Sequence, residues 1–219
     1  MAILEVKNLK KSFGDKVILN DINFSVDAGE CLGVVGKSGC GKSTLAKIIA
    51  RFIPADSGEI FLDGENITVE KNLKSVYKNM QMIFQLPEES FDPRKTLGWS
   101  IAEPMKNFNF KNIDEQIKNL LAEVGLTADF VEKYPHEVSG GQCQRAAIAR
   151  AISILPKLLI CDEATSALDV TTQAQILKLL NKLRAEKKIA MLFITHDFSI
   201  LPKIADKIIH LQGGKIVDA

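Results

Sequence analysis

Nine residues, Gly36-Lys-Ser-Gly-Cys-Gly-Lys-Ser-Thr44, restrict what this chain can fold into more than any other stretch. They follow the spacing G-x-x-x-x-G-K-[ST], with Gly36, Gly41, Lys42 and Ser43 at its fixed positions. The apolar run Cys31-Leu-Gly-Val-Val35 ahead of them reads as a short buried strand, and Leu45-Ala-Lys-Ile-Ile-Ala50 behind them reads as a helix. The loop therefore lies where a parallel strand turns into a helix N-terminus. Glycine admits the positive φ needed to wrap backbone N–H groups around an anion, and the helix dipole adds about half a positive charge there. Lys37, Ser38, Gly39, Cys40 and Thr44 complete the wrapping segment. Lys42 is expected on the β- and γ-phosphates of a nucleotide and the Ser43 hydroxyl on Mg²⁺. Cys40 lies inside the loop, so a bulky adduct on it is expected to obstruct phosphate binding.

A loop of this kind needs a parallel sheet around it, and the rest of the chain supplies the strands. Ile3–Val6 and Val17–Val26 read as strands with a turn at Ser12–Asp15, and Glu59–Leu62 as a strand closed by the hairpin dipeptide Asp63-Gly64. The first third is thus β-rich with one helix inserted. Gln81–Gln85 reads as a strand. From about Leu86 to Ser153 no strand is evident, while Ile113, Ile117, Leu120, Leu121 and Val124 share one helix face. Leu158–Cys161 and Ile189–Ile194 are apolar runs separated by a helix carrying Ile176, Leu177, Leu180 and Leu183, a spacing that implies parallel pairing. Ile208–Leu211, Gly213-Gly214 and Lys215–Val217 read as a last hairpin. The expectation is an α/β fold with an antiparallel N-terminal part. Residues 1–86 and 154–219 would form its core, with a helical subdomain inserted at 87–153. The run Lys182–Lys188 reads as a solvated helix face, and Trp99 as a packing residue in the helical lobe, with a contact near the permease surface as the alternative.

Composition narrows the class. There are 28 basic and 27 acidic residues, a net charge of +1, so nothing indicates a nucleic-acid groove. No stretch approaches the roughly 18 apolar residues of a membrane span. The N-terminus meets charge at once, without a signal-peptide apolar region, and a cytosolic chain is expected. Cys31, Cys40, Cys143 and Cys161 form no C-x-x-C pair and read as small buried residues.

Two further clusters carry chemistry. Leu158-Leu-Ile-Cys-Asp162-Glu163 sets two carboxylates at the C-terminal end of a buried strand, the edge where open α/β sheets bind ligands. Asp162 would orient Mg²⁺ through water, and Glu163 would polarise an attacking water as general base. Val138-Ser-Gly-Gly-Gln142 opens a second helix with a hydroxyl and free N–H groups, a second anion site. One triphosphate does not need two cradles in one chain. A head-to-tail dimer resolves this, with the second cradle covering the nucleotide of the other subunit.

In these motifs the chain resembles, over essentially its whole length, an ATP-binding cassette (ABC) ATPase, the motor subunit of ABC transporters. Gly36–Thr44 matches Walker A, Val138–Gln142 the LSGGQ signature with Val for Leu, Leu158–Glu163 Walker B, and Ser166–Asp169 the D-loop. The resemblance implies a P-loop NTPase core binding ATP and Mg²⁺. It also implies roles for single residues. Gln85 would sense Mg²⁺ and the attacking water, and His196 would hold the γ-phosphate. Phe13 would stack on adenine. Ser139, Gly141 and Gln142 would reach the partner subunit's nucleotide, and Asp169 would cross the interface. Phe13 stands where tyrosine is commoner and cannot hydrogen-bond through a hydroxyl, so selectivity over GTP is open.

Leu86-Pro-Glu-Glu-Ser-Phe-Asp-Pro-Arg-Lys-Thr-Leu97 and Glu103-Pro-Met105 resemble the peptide/nickel importer branch, with Asp92 where Asn is usual. That branch implies a second cassette (more often a different one), separate permeases in the membrane, and an extracytoplasmic solute-binding protein. The cassette would then lie on the cytoplasmic face of the membrane. Many members of the branch continue beyond the last hairpin, whereas this sequence ends at Asp218-Ala219. Peptide, nickel and other chelated metals stay open as solutes. The alternatives are a soluble cassette ATPase in DNA repair or translation, and a regulatory module without turnover.

Overall fold

The computed structural model describes residues 1–217. Two twelve-residue strands, β1 (Ala2–Phe13) and β2 (Lys16–Asp27), pair antiparallel, with Phe13 opposite Lys16 across a turn at Gly14-Asp15. Ser12 and Phe13, expected in the turn, belong to the strand. The other edge of β1 pairs with β4 (Ser57–Leu62), which turns back into the short β5 (Glu65–Asn66). Asp63 and Gly64 both have positive φ (52° and 81°), the backbone that a two-residue hairpin with the right twist demands.

The second sheet carries the loop. Its order is β10 (Lys215–Val217), β9 (Lys207–Gln212), β3 (Cys31–Val35), β8 (Ala190–Thr195), β7 (Leu158–Asp162) and β6 (Met80–Ile83). The strands from β9 to β6 run parallel, and β10 pairs antiparallel with β9. Every residue of β3, β7 and β8 is buried, as expected of strands covered on both faces. Side chains alternate between two apolar clusters. Leu158, Ile160, Leu192 and Ile194 point toward the first sheet, where Leu4, Leu19 and Ile60 meet Leu45, Ile48 and Ile49 of α1 (Lys42–Ile49). Leu159, Cys161, Met191 and Phe193 point the other way, against Ile176, Leu180 and Leu183 of α6 (Val170–Lys187).

One helix was not anticipated: α2 (Leu73–Asn79), just ahead of β6. Leu73, Val76 and Tyr77 have helical spacing, but two turns are too few to stand out from their surroundings. After β6 the chain forms α3 (Leu97–Asn107), α4 (Ile113–Glu123) and α5 (Gly140–Ile152), joined by 3₁₀ turns. Ile117, Leu120 and Leu121 are the buried face of α4. These helices share one apolar cluster with the sheet: Ile101, Leu121 and Ile148 belong to the same buried set as Phe193. Helix α5 makes this continuity, since it packs on α3, α4, β6 and α6.

Two expectations hold only in part. Trp99 is 42% exposed, with Lys95 Nζ 5.0 Å from its ring centroid, so it is no core residue. In Lys182–Lys188, Leu183 is buried, Arg184 is paired with Asp206, and Lys187 reaches Glu123 of α4 at 2.8 Å. Lys182, Ala185, Glu186 and Lys188 are exposed, so the face is solvated as expected except where Arg184 and Lys187 tie the C-terminal turn of α6 to its neighbours. Among the described residues no helix is long and apolar enough to cross a membrane.

Phe193 is the largest fully buried side chain and stands in the middle of the parallel sheet. Phe193→Ala is expected to cost about 3–5 kcal/mol. Urea unfolding followed by far-UV circular dichroism checks this.

Candidate functional site

Because β3, β8, β7 and β6 are adjacent and parallel, their carboxyl ends form one edge. From β3 the chain enters the glycine loop. Gly41 caps α1 with φ 108°, a value closed to side chains, and a Cβ there would lie 3.0 Å from Ile18 Cγ2 and 3.1 Å from the Ile18 carbonyl oxygen. A Cβ on Gly36 would fall 2.3 Å from the Leu211 carbonyl oxygen of β9. The loop is thus held between β2 and β9, and only glycine fits at both contacts. The first N–H groups of α1 have no acceptor within the helix. Lys42 is buried, and its Nζ donates to the carbonyls of Gly36 (2.8 Å) and Lys37 (3.1 Å). An ammonium has three protons, so one is left for a phosphate oxygen.

From β7 come the two acids. The Ser43 hydroxyl donates to Asp162 Oδ1 at 3.2 Å, which joins the glycine loop to the neighbouring strand. Asp162 is 8% exposed, and burial raises its carboxyl above the ordinary range, partly offset by the Ser43 bond and reinforced by the charge of Glu163. Among the described residues no group of three or more His, Cys, Asp or Glu side chains could hold a metal ion. A hydroxyl beside one buried carboxylate suits instead a hard cation that brings phosphate and water oxygens with it. Glu163 has φ 50°, a left-handed conformation costly for a side-chain-bearing residue. Hydrogen bonds hold it there: its N–H donates to the Ile194 carbonyl (2.9 Å), and its carbonyl accepts from Ser166 N and Oγ (3.0 Å each). His196, just beyond β8, has Nδ1 3.2 Å from Glu163 Oε2. Gln85 follows the end of β6, two residues beyond the strand that was expected to include it.

Phe13, Ser38, Gly39, Gly41, Lys42, Ser43, Thr44, Gln85 and Glu163 line one cleft of about 390 Å³. Phe13 is 53% exposed at its rim, with Lys11 Nζ 5.3 Å from the ring centroid. Lys11 is itself fixed by Asp56 at 2.7 Å. This supporting pair was not read from the sequence, since 45 residues separate its members.

Three loop residues lie elsewhere. Gly36, Lys37 and Cys40 line a separate cavity with Phe198, His210 and Leu211. The Cys40 side chain packs on the apolar cluster between the sheets, and its N–H is taken by the Lys37 carbonyl (3.2 Å). Cys40 therefore backs the loop.

The second cradle stands apart. None of Ser139, Gly141, Gln142 and Asp169 lines the cleft. Ser139 caps α5, its hydroxyl accepting the Gln142 N–H (3.4 Å) while Gln142 Oε1 accepts the Ser139 N–H (3.0 Å). The Gln142 side chain is thus engaged within its own helix start. A Cβ on Gly141 would meet Thr172 Cγ2 at 2.6 Å, and Asp169 caps α6 through the N–H groups of Thr171 and Thr172 (3.0 Å each). The signature turn and the start of α6 form one surface.

The ABC transporter family profile matches residues 19–166. This chain belongs to the ABC transporter family. It is 42% identical over 233 aligned positions to the oligopeptide transport ATP-binding protein AppF of Bacillus subtilis, a match covering 99% of this chain and 71% of that protein. It is 41% identical to the oligopeptide transport ATP-binding protein OppF of Haemophilus influenzae, over 99% of this chain and 71% of the relative. Among solved structures, CbiO1 of Clostridium perfringens, part of the CbiONQ transporter complex, superposes with a TM-score of 0.90 at 28% identity, covering 99% of this chain and 87% of that one. The ATP-binding cassette MJ0796, dimeric and post-hydrolysis with ADP and Pi, superposes at 0.86 with 27% identity, covering 98% and 97%. The chain is an ABC ATPase with a P-loop NTPase fold.

In this ABC ATPase, Asp92, noted above as a departure, accepts Arg94 Nε and Nη2 at 3.0 Å each, which lowers its carboxyl to about 2. One buried polar position went unread altogether. Gln144 carried no signal in the sequence because it reads as an ordinary helix residue, yet it is fully buried and bonded to the segment after Glu163.

Two outcomes follow from this geometry. Gly41→Ala, forced into a disallowed φ against Ile18, is expected to lower ATP affinity at least tenfold, measured by fluorescent-nucleotide titration. Asp162→Asn removes a buried charge, so the nucleotide-free protein should melt at a higher temperature while hydrolysis is lost. Scanning calorimetry and phosphate release check the two halves.

Proposed function

We propose that this chain is the ATP-hydrolysing subunit of an importer for oligopeptides, working on the cytoplasmic face of the membrane with separate permeases. The observation that carries the proposal is the convergence of Lys42, Ser43 with Asp162, Glu163 with His196, and Gln85 on one cleft rimmed by an exposed aromatic ring. ATP would lay its adenine on Phe13 and its phosphates in the loop from Gly36 to Thr44. Mg²⁺, held by Ser43 and Asp162 with Gln85 nearby, would neutralise charge developing on the β- and γ-phosphates.

Glu163 takes a proton from the attacking water as its oxygen bonds to the γ-phosphorus and the bond to the β-phosphate oxygen breaks, leaving ADP and phosphate. His196, in contact with the Glu163 carboxylate, orients the base and meets the γ-phosphate. Ser139 and Gly141 cap that phosphate on the partner subunit, with Gln142 shaping the turn and Asp169 crossing between subunits. The partner is a second cassette, a different one by preference. A γ-phosphate gripped from both sides biases the pair toward closure, and hydrolysis removes that bias. Two relatives named for oligopeptide transport favour peptide over nickel, and transport over DNA repair or translation.

A permease is the natural occupant of a second groove, of about 270 Å³, which Phe52, Tyr77, Met82, Phe84 and Arg150 line. Phe52 and Phe84 stack there with centroids 6.1 Å apart, and Phe84 immediately precedes Gln85. A helix seated in the groove would feel the γ-phosphate through that single peptide bond. A solute-binding protein outside the membrane would deliver the peptide to the permeases.

Glu163→Gln should bind ATP normally, lose about 10²-fold or more in kcat, and accumulate as a dimer with ATP. Phosphate release and size-exclusion chromatography test this, and unimpaired turnover would remove Glu163 as base. Phe52→Asp should retain ATP binding but release the chain from its permeases in detergent pull-downs. Reconstituted vesicles that take up labelled nickel but no peptide would overturn the choice of solute.

A further inference from the structure

The residues that follow Glu163 are held by side chains from two helices. Gln144 of α5 donates through Nε2 to the Ala164 carbonyl at 2.7 Å, the peptide next to Glu163. Gln173 of α6 reaches Thr165 Oγ1 at 3.3 Å. Gln144 is 0% exposed, and its Oε1 is buried with no hydrogen-bond partner. Buried polar atoms are almost always satisfied, and an aliphatic side chain of the same shape would fill this site without leaving an orphan oxygen. The amide therefore earns its place by the one bond it makes.

That bond joins two parts of the machine. Gln144 lies one helical turn beyond Gly140, at the start of α5, whose cap is Ser139. Ala164 follows Glu163, whose strained φ of 50° sets where the carboxylate points. A shift of the first turn of α5 would pull on the Ala164 peptide and turn Glu163 relative to His196.

We propose that Gln144 is a positioning residue that ties the signature helix to the general base, so that engagement of Ser139 by the partner subunit's nucleotide sets the Glu163 carboxylate for attack. The inference rests on the roles proposed above for Glu163 and Ser139. It adds a route by which each site of the dimer senses the other: a nucleotide bound on one chain orders the base of its neighbour.

Gln144→Met keeps the length of the side chain and removes the donor. In the assembled ATPase its kcat should fall about tenfold, with the ATP Kd of the single chain and the melting temperature unchanged, and the Hill coefficient for ATP should move toward one. A loss of packing alone would lower the melting temperature and leave kcat per folded molecule intact, and that result overturns the proposal, as does unaltered kcat.

A double-mutant cycle isolates the path. On a Glu163→Gln background, followed by single-turnover decay of bound ATP, Gln144→Met should cost less than about twofold, because the base through which it acts is gone. A full tenfold further loss would mean that Gln144 acts elsewhere. If Glu163→Gln alone leaves kcat intact, the assignment of the base fails; if that variant is impaired and Gln144→Met is not, only the link through Gln144 fails.

Discussion

Parallel pairing of β3, β8, β7 and β6 is the constraint on which the rest of this molecule depends. Each of these strands ends in a different element of the candidate site: the glycine loop after β3, His196 after β8, Asp162 and Glu163 at the end of β7, Gln85 after β6. Neighbouring strands lie about 4.8 Å apart, so parallel hydrogen bonding gathers four distant pieces of sequence within reach of one triphosphate. Antiparallel pairing would send alternate elements to opposite edges. Burial on both faces enforces the arrangement, since Leu159 and Ile160, or Leu192 and Phe193, serve different apolar clusters.

The same edge concentrates features that cost stability. Asp162 is a carboxylate buried beside Glu163, Glu163 adopts a left-handed backbone, and Lys42 spends two of its three donors on loop carbonyls. Each makes sense as preparation for an anionic ligand with its cation. A cation near Ser43 and Asp162 would offset the desolvated charge, and a phosphate would take the remaining lysine proton. Strain of this kind persists because the surrounding sheet over-determines it.

On the proposed reading the site is also built in halves. Ser139 and Gln142 satisfy one another in a capping box, and the signature turn rests on the start of α6 through Gly141 and Thr172. The signature surface is therefore fixed by its own hydrogen bonds and stands apart from the cleft. Gln144 lies where these halves meet inside the subunit, with a buried donor on the Ala164 carbonyl. The helices after β6 do not form a separately cored lobe, since α5 carries the apolar cluster of the sheet into them. Motion of the signature surface relative to the cleft must then pass through α5 and its contacts.

Much of this was legible before any coordinates. Local sequence by itself determined the glycine loop, the apolar strands with their intervening helices, the Asp-Glu pair, and the second cap at Ser139, because glycine conformation, hydrophobic period and capping chemistry act over a few residues. It left open where Trp99 and Cys40 face, missed the ion pairs of Arg184 and Lys187, and passed over α2 and Gln144. In these cases the answer depends on what lies across space. Whether Cys40 faces the cleft or the core is decided by β9, whether Arg184 is solvated is decided by Asp206, and whether Gln144 is ordinary is decided by a carbonyl twenty residues away. Tertiary structure alone decided those contacts, because a side chain's partner is set by the packing of whole elements and no short-range rule encodes it.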